Sequence, residues 1–205
     1  MPPDHPDLSD VTLAVLAGGE GSRMGRPKAE LQVAGVPILC HLLRRSDWPG
    51  PTLLVTAPGR ERPPGHELFD REGVDPSFGE GPLRGILTAI ENARTTLLVV
   101  VAVDMPFVER DQLIWVASEL RGRPEALAIM TLRRDGDAAQ LQPFPSAFRV
   151  EVAAPVRRLL EANRRSLHAL LDCPGVVAVD APAGWDARTW TNLNSPGDLN
   201  AVDAR

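Results

Sequence analysis

Cysteine is scarce in this chain of 205 residues: Cys40 and Cys173 are the only two. That number and their distance apart exclude a disulfide framework or a zinc site, so two buried, reduced thiols are expected. Long apolar runs are missing too. The longest, residues 97–103, falls far short of the ~20 residues a membrane-spanning helix needs. The opening MPPDHPDLSD is acidic and proline-rich, unlike a secretion signal, so the cytoplasm is the expected setting and no membrane partner is expected. There is no basic excess. A net charge of −5 argues against a general nucleic-acid binder. It leaves room for a small anionic ligand, because loops and helix ends bind phosphate inside acidic proteins. No repeat and no low-complexity segment is present. His5, His41, His66 and His168 lack metal-ligand spacing. Trp48, Trp115, Trp185 and Trp190 show no pattern of a stacking platform and read as packing residues.

What is present is an ordinary globular composition, 43% hydrophobic and 24% charged, on a length that suits one domain. Residues 1–10 are expected to form a flexible arm and residues 11–205 a single domain. Strand and helix patterns alternate. Residues 11–17, 52–57, 96–103, 126–132 and 176–179 read as strands. Residues 37–45, 82–93, 111–120 and 151–163 read as helices, with Leu83, Ile86, Leu87 and Ile90 on one stripe. Residues 58–81, rich in Gly, Pro and charge, read as loop. The alternation predicts an α/β fold: a Rossmann-like, doubly wound, mostly parallel sheet with helices on both faces. The run TLLVVVAV at 96–103 is apolar throughout, as a strand covered on both faces must be.

In such sheets ligands bind beyond the carboxyl ends of the strands, and three segments fall there. The first is LAGGEGSRMGRPKAEL, residues 16–31. Gly18, Gly19, Gly21 and Gly25 follow directly on a buried strand, and glycines let backbone N–H groups wrap phosphate oxygens. Arg23 and Lys28 add positive charge. The spacing is neither of two common nucleotide loops: Met24 stands where GxGxxG needs its third glycine, and the chain has no Gly-Lys pair for a P-loop. The second segment is VAVDMPF, residues 101–107. Taken alone, Asp104 suits a helix cap or a Mg²⁺ ligand about equally. With a phosphate loop on the same edge the metal reading leads, since Mg²⁺ takes one or two carboxylates and lets phosphates and water supply the rest. The third is TNLNSPGDL, residues 191–199. Ser195 and Pro196 read as a helix start. Asn192 and Asn194 remain as metal or phosphate contacts.

Together with GEGPLRGI at 79–86, these segments resemble the molybdenum cofactor guanylyltransferase family, within the wider nucleotidyltransferase group. The matches follow the family's order and span residues 13–200. QPFPSAFRV and RRSLHALLD resemble that family's segments near the pterin site. The resemblance implies a nucleotide-diphospho-sugar transferase-like fold. It also implies a reaction in which the terminal phosphate of molybdopterin attacks the α-phosphorus of GTP and pyrophosphate leaves. It places Leu16, Ala17, Gly18 and Gly19 along the nucleotide, Asp75 near the guanosine, Lys28 with Arg23 against the phosphates, and Asp104 on Mg²⁺. Asn192 and Asn194 fall on the pterin side or near the metal. Arg149, Arg157, Arg158, Arg164 and Arg165 read as solvated arginines, some of which could meet a pterin phosphate. RPKAEL around Lys28 departs toward the cytidylyl branch, and Pro58 stands where a polar contact to the nucleotide is common. Cytidylyl transfer to the same pterin, nucleotidyl transfer to a sugar phosphate, a non-catalytic nucleotide-binding adaptor, and a pterin-delivering partner protein all stay open.

Overall fold

The computed structural model describes residues 7–19, 27–136, 138–195 and Asp198. Of the segments singled out above, Gly21, Arg23, Met24, Gly25 and Pro196 lie outside the described residues, as does most of the expected arm.

The strands are β1 (Val11–Leu16), β2 (Gln32–Val33), β3 (Val36–Pro37), β4 (Thr52–Thr56), β5 (Arg71–Val74), β6 (Leu97–Ala102), β7 (Ala128–Asp135), β8 (Ala138–Arg149) and β9 (Val176–Asp180). The helices are α1 (Ile38–Ser46), α2 (Pro82–Asn92), α3 (Arg110–Arg121) and α4 (Ala153–Glu161). The main sheet has seven strands in the order β5-β4-β1-β6-β8-β7-β9, while β2 and β3 form a small separate hairpin. β8 alone runs against its neighbours; every other pairing in the main sheet is parallel.

Burial explains these assignments. Both faces of the central strands are covered, so β6 is apolar at every position and β1 at all but Thr12: Val11, Leu13, Ala14, Val15 and Leu97 to Val101 are all buried. On one face, Leu13, Val15 and Val101 meet Leu42 and Leu43 of α1 and Leu113 of α3. On the other, α2 packs its buried stripe Leu83, Ile86, Leu87 and Ile90 over β1, β4 and β5, with α4 beside it. Gly85 lets α2 come so close that an added Cβ would lie 3.3 Å from the Leu16 side chain. Among the described residues no helix is long and apolar enough to cross a membrane.

Besides the short β2–β3 hairpin, which was not expected, three elements depart from expectation. β5 lies inside the stretch read as loop; it is a short edge strand whose sequence, REGV, has charge and glycine where a buried strand would have apolar residues. β8 was not foreseen because Pro143 and Pro145 interrupt its pattern, yet it fills the sheet between β6 and β7. The last predicted helix is shorter, its first turn being the tighter helix Val150–Val152. The cysteines are free as expected, but partly rather than fully buried.

One close approach in the frame has a measurable consequence. Gly50 sits against the backbone at the start of β1, where an added Cβ would strike the carbonyl oxygen of Leu8 and that of Val11, the latter at 2.7 Å. Backbone atoms there cannot step aside. Gly50→Ala is expected to destabilise the fold by about 1–3 kcal/mol or more, as overpacking does, read as a lowered melting temperature. Gly19→Ala, which meets nothing within 4 Å, is expected to leave melting unchanged.

Candidate active site

The chain order reverses direction in the sheet between β1 and β6, which run side by side with Leu16 paired to Ala102. Connections leaving their carboxyl ends must diverge there, opening a crevice at that edge. A cavity of about 470 Å³ occupies the place, lined by Leu16, Gly18, Gly19, Lys28, Asp75 and Asp104 among others. Segments from four separate stretches of chain thus converge where the sequence placed them.

Asp104 sits just past the end of β6. It does not cap α3: that is done by Glu109, which exchanges capping bonds with Gln112, the Glu109 N–H donating to the Gln112 side chain at 2.6 Å. The Asp104 carboxylate is instead engaged by Lys28, whose Nζ donates to Oδ2 at 2.6 Å with both side chains five-sixths buried. The same Nζ donates to Asn194 Oδ1 at 2.7 Å. Two oxygens from distant segments therefore close on one cationic atom.

The loop bearing Asn194 is fixed independently of that contact. Leu193 is fully buried, and its N–H donates to the Asp104 carbonyl at 2.8 Å. Asp198 Oδ2 accepts from the N–H groups of Asn194 and Ser195 at 2.9 and 2.8 Å, and Ser195 Oγ accepts the Asp198 N–H at 3.3 Å. These are the reciprocal bonds of a capping box, as read for Ser195. They hold the Asp198 carboxyl below its ordinary value. Upstream, Trp185 stands edge-on to Trp115 of α3, ring centres 5.1 Å apart, and packs against Trp190 at 5.3 Å. Arg188 and Arg45 both lie over the Phe107 ring. Three of the tryptophans read as packing residues thus pack in one cluster, ahead of Asn194 in the chain.

Asp75 follows β5 and reaches the floor of the cleft: an added Cβ on Gly18 would lie 3.4 Å from its Oδ2. Its Oδ1 is buried and, among the described residues, has no hydrogen-bond partner. Burial raises the Asp75 carboxyl above its ordinary value, against the Thr88 hydroxyl and Arg84, with Glu80 adding to the rise. A buried acceptor without a donor costs free energy, and a ligand that brings an N–H relieves it.

Other expected residues fall differently. Ala17 is buried behind the cleft wall, and the Leu16 carbonyl already accepts the Val103 N–H at 3.0 Å, so that carbonyl is partly used by the sheet. Asn192 is exposed beside the cleft loop. Arg149 belongs elsewhere: it pairs with Leu97 at the opposite end of β6, and its guanidinium donates to the carbonyls of Ala126 and Leu120, closing the end of α3. A contact with a pterin in this cleft is therefore ruled out for Arg149 by the sheet register. Arg157 pairs with Glu91, Arg164 with Asp172, and Arg165 donates to the Gly79 carbonyl at 3.0 Å. Phe78, Glu80 and Phe144 line the cleft without having been singled out. Phe144 lies in QPFPSAFRV, one of the segments whose resemblance points to the pterin side, and β8 carries it to the cleft wall. Among the described residues no cluster of three or more His, Cys, Asp or Glu side chains could hold a metal. Any metal here must rest on fewer protein ligands.

Comparison with known proteins agrees with this geometry. The chain is 33% identical over 209 residues to a protein of Mycolicibacterium paratuberculosis named probable molybdenum cofactor guanylyltransferase, covering 96% of each. Its fold is similar to that of molybdopterin-guanine dinucleotide biosynthesis protein A from Archaeoglobus fulgidus, with a TM-score of 0.74 at 23% identity over 94% of this chain and 97% of that one. A CMP:2-keto-3-deoxy-manno-octonic acid synthetase solved with CTP gives a TM-score of 0.72 at 13% identity, covering 96% and 98%. The family described as the MobA-like NTP transferase domain matches residues 13–179. The chain belongs to the MobA-like NTP transferase family.

Proposed function

We propose that this protein transfers GMP from GTP to the terminal phosphate of molybdopterin, with Mg²⁺, forming molybdopterin guanine dinucleotide and releasing pyrophosphate. The observation that carries the reading is the convergence of Lys28, Asp104 and Asn194 at the mouth of a glycine-floored cleft, in a chain whose relatives bear the guanylyltransferase name.

The chemistry needs no protein nucleophile, because the attacking phosphate is already an anion. The protein's task is to align two highly charged groups and offset charge at phosphorus. Gly18 and Gly19 let the triphosphate approach the backbone. The N-terminus of α2, at Gly81 and Pro82, borders the same cavity, and the positive end of its dipole favours an anion there. Lys28 supplies a mobile cation to the phosphates. Asp75 offers its unpaired oxygen to the N–H edge of guanine.

The site's donors suit Mg²⁺: one carboxylate, Asp104, and one amide carbonyl, Asn194, already grip a cation in the form of the Lys28 ammonium. When bound, the ion would screen the phosphate charge and polarise the α-phosphate. Lys28 would then be free to turn to the phosphates. In the free protein Lys28 therefore competes with the metal for the same two oxygens.

Three tests follow from this reading. Given molybdopterin, Mg²⁺ and each triphosphate in turn, the protein is expected to yield the guanine dinucleotide by mass, with GTP preferred over CTP, ATP and UTP by a hundredfold or so, about two unpaired buried groups' worth. A cytosine dinucleotide as main product would make RPKAEL the better guide, and transfer to a sugar phosphate alone would overturn the pterin acceptor.

Lys28→Met removes the competing ammonium. Nucleotide-free protein carrying this change is expected to bind Mn²⁺ roughly tenfold more tightly than the parent by electron paramagnetic resonance, a difference of about 1.4 kcal/mol, while turnover drops about a hundredfold. Equal Mn²⁺ binding by both would remove Asp104 from the metal site.

Asp75 gives the pH dependence its sign. Only the ionised carboxylate accepts both guanine donors, and its raised value means that the charge is lost on acidification earlier than for an exposed aspartate. The KM for GTP is expected to climb as pH falls, beginning above the ordinary carboxylate range. Asp75→Asn should erase that limb and cut the preference for GTP over ATP by about tenfold. An unchanged pH profile in the variant would assign the limb to another group.

A further inference from the structure

Phe78 has no part in the chemistry above, yet its setting is unusual for a large apolar side chain. It is 50% exposed. Leu68, Val74 and Leu171 are exposed as well, but among the described residues only Phe78 combines such exposure with a place on the wall of the cleft. Solvent exposure of a phenyl ring gains nothing by itself. What keeps it there is Arg60, on the turn after β4, whose guanidinium carbon lies 5.8 Å from the ring centre. Arg60 Nε is itself buried, and among the described residues it has no hydrogen-bond partner.

Phe78 also stands three residues after Asp75 on the same stretch of chain. A planar ring that gives its N–H edge to the unpaired Asp75 oxygen turns its face toward the adjoining walls. Phe144, 7% exposed, belongs to the inner wall; Phe78 is the aromatic at the open side. Edge and face of a heterocycle are thus met by two different side chains from one loop.

Building on the nucleotide reading of this cleft, we propose that Phe78, steadied by Arg60, is the stacking platform for the purine base. Stacking is blind to the pattern of donors on the base, because every base has a π-face. Phe78 therefore sets how tightly a purine nucleotide binds, and Asp75 sets which one.

The test compares GTP, ATP and inorganic tripolyphosphate, which has no base, by calorimetric titration of the parent, Phe78→Ala, Phe78→Trp and Asp75→Asn. Phe78→Ala should weaken GTP and ATP by the same factor, about tenfold or more, with tripolyphosphate affinity and melting temperature unchanged. Phe78→Trp should restore both nucleotides, and Asp75→Asn should narrow the gap between them. Binding of GTP by Phe78→Ala as tightly as by the parent would overturn the platform while leaving the nucleotide site intact. A loss shared equally by tripolyphosphate would overturn it too, by showing that the change acts on phosphate binding. Failure of the parent to bind any nucleotide would overturn the site itself.

Discussion

A single ammonium, Lys28 Nζ, joins stretches of chain that are 76 and 166 residues apart in sequence. Everything else at the carboxyl edge of the sheet is arranged around that junction. β6 must be rigid for Asp104 to be presented at a fixed height, and it is buried on both faces. The segment after β9 must return across the sheet to bring Asn194 alongside, and it is pinned by Leu193, the tryptophan cluster and the Arg188–Phe107 contact. Hydrogen bonds to charged groups contribute about 1.5–3 kcal/mol each when shielded from water. The bond to Asp104 is largely shielded and the one to Asn194 is exposed, so the junction joins two segments that the fold has already placed rather than building either.

The same junction separates stability from function. Gly50, at the amino end of the strands, tolerates no side chain because backbone carbonyls surround it, whereas Gly19, at the carboxyl end, has open space where its Cβ would be. On the proposed reading, the open space at Gly19 is what lets a nucleotide approach the backbone. Arg149 makes the complementary point. Its charge suggested an anion contact, but the antiparallel register of β8 carries it to the amino end, where it ties down α3.

Legibility in the sequence followed burial. β1, β6 and α2 announce themselves because full burial leaves only apolar residues or an apolar stripe, and Asp104 stands out as the first charge after such a strand. β5 and β8 are hidden for the opposite reason. An edge strand can carry REGV, and a strand with two prolines breaks the pattern on which recognition depends. What hangs on those strands was correspondingly hard to place: Phe144 and Phe78 as walls of one cleft. The pairing of Lys28 with both Asp104 and Asn194 could not be read from spacing at all, since it is fixed only by the crossing order of the strands.

Charge gives the proposed chemistry its order. Among the described residues that line the cleft, one cation, Lys28, faces three carboxylates, Asp75, Glu80 and Asp104, a local balance of 1 − 3 = −2. Of the arginines nearby, Arg84 and Arg157 pair with Glu91 and Arg164 with Asp172, while Arg60 stands over Phe78 and Arg165 donates to the Gly79 carbonyl, so the excess of negative charge belongs to the inner wall of the cleft rather than to its rim. A bare triphosphate entering such a cleft meets like charge at distances where repulsion is scarcely screened. On the proposed reading, the nucleotide therefore arrives with its own divalent cation, which the Asp104 and Asn194 oxygens accept as Lys28 lets go. The ammonium that guards those oxygens in the free protein is then released toward the phosphates at the moment they need it. On that reading the carboxylates of the inner wall disfavour free phosphate and favour the metal–nucleotide pair.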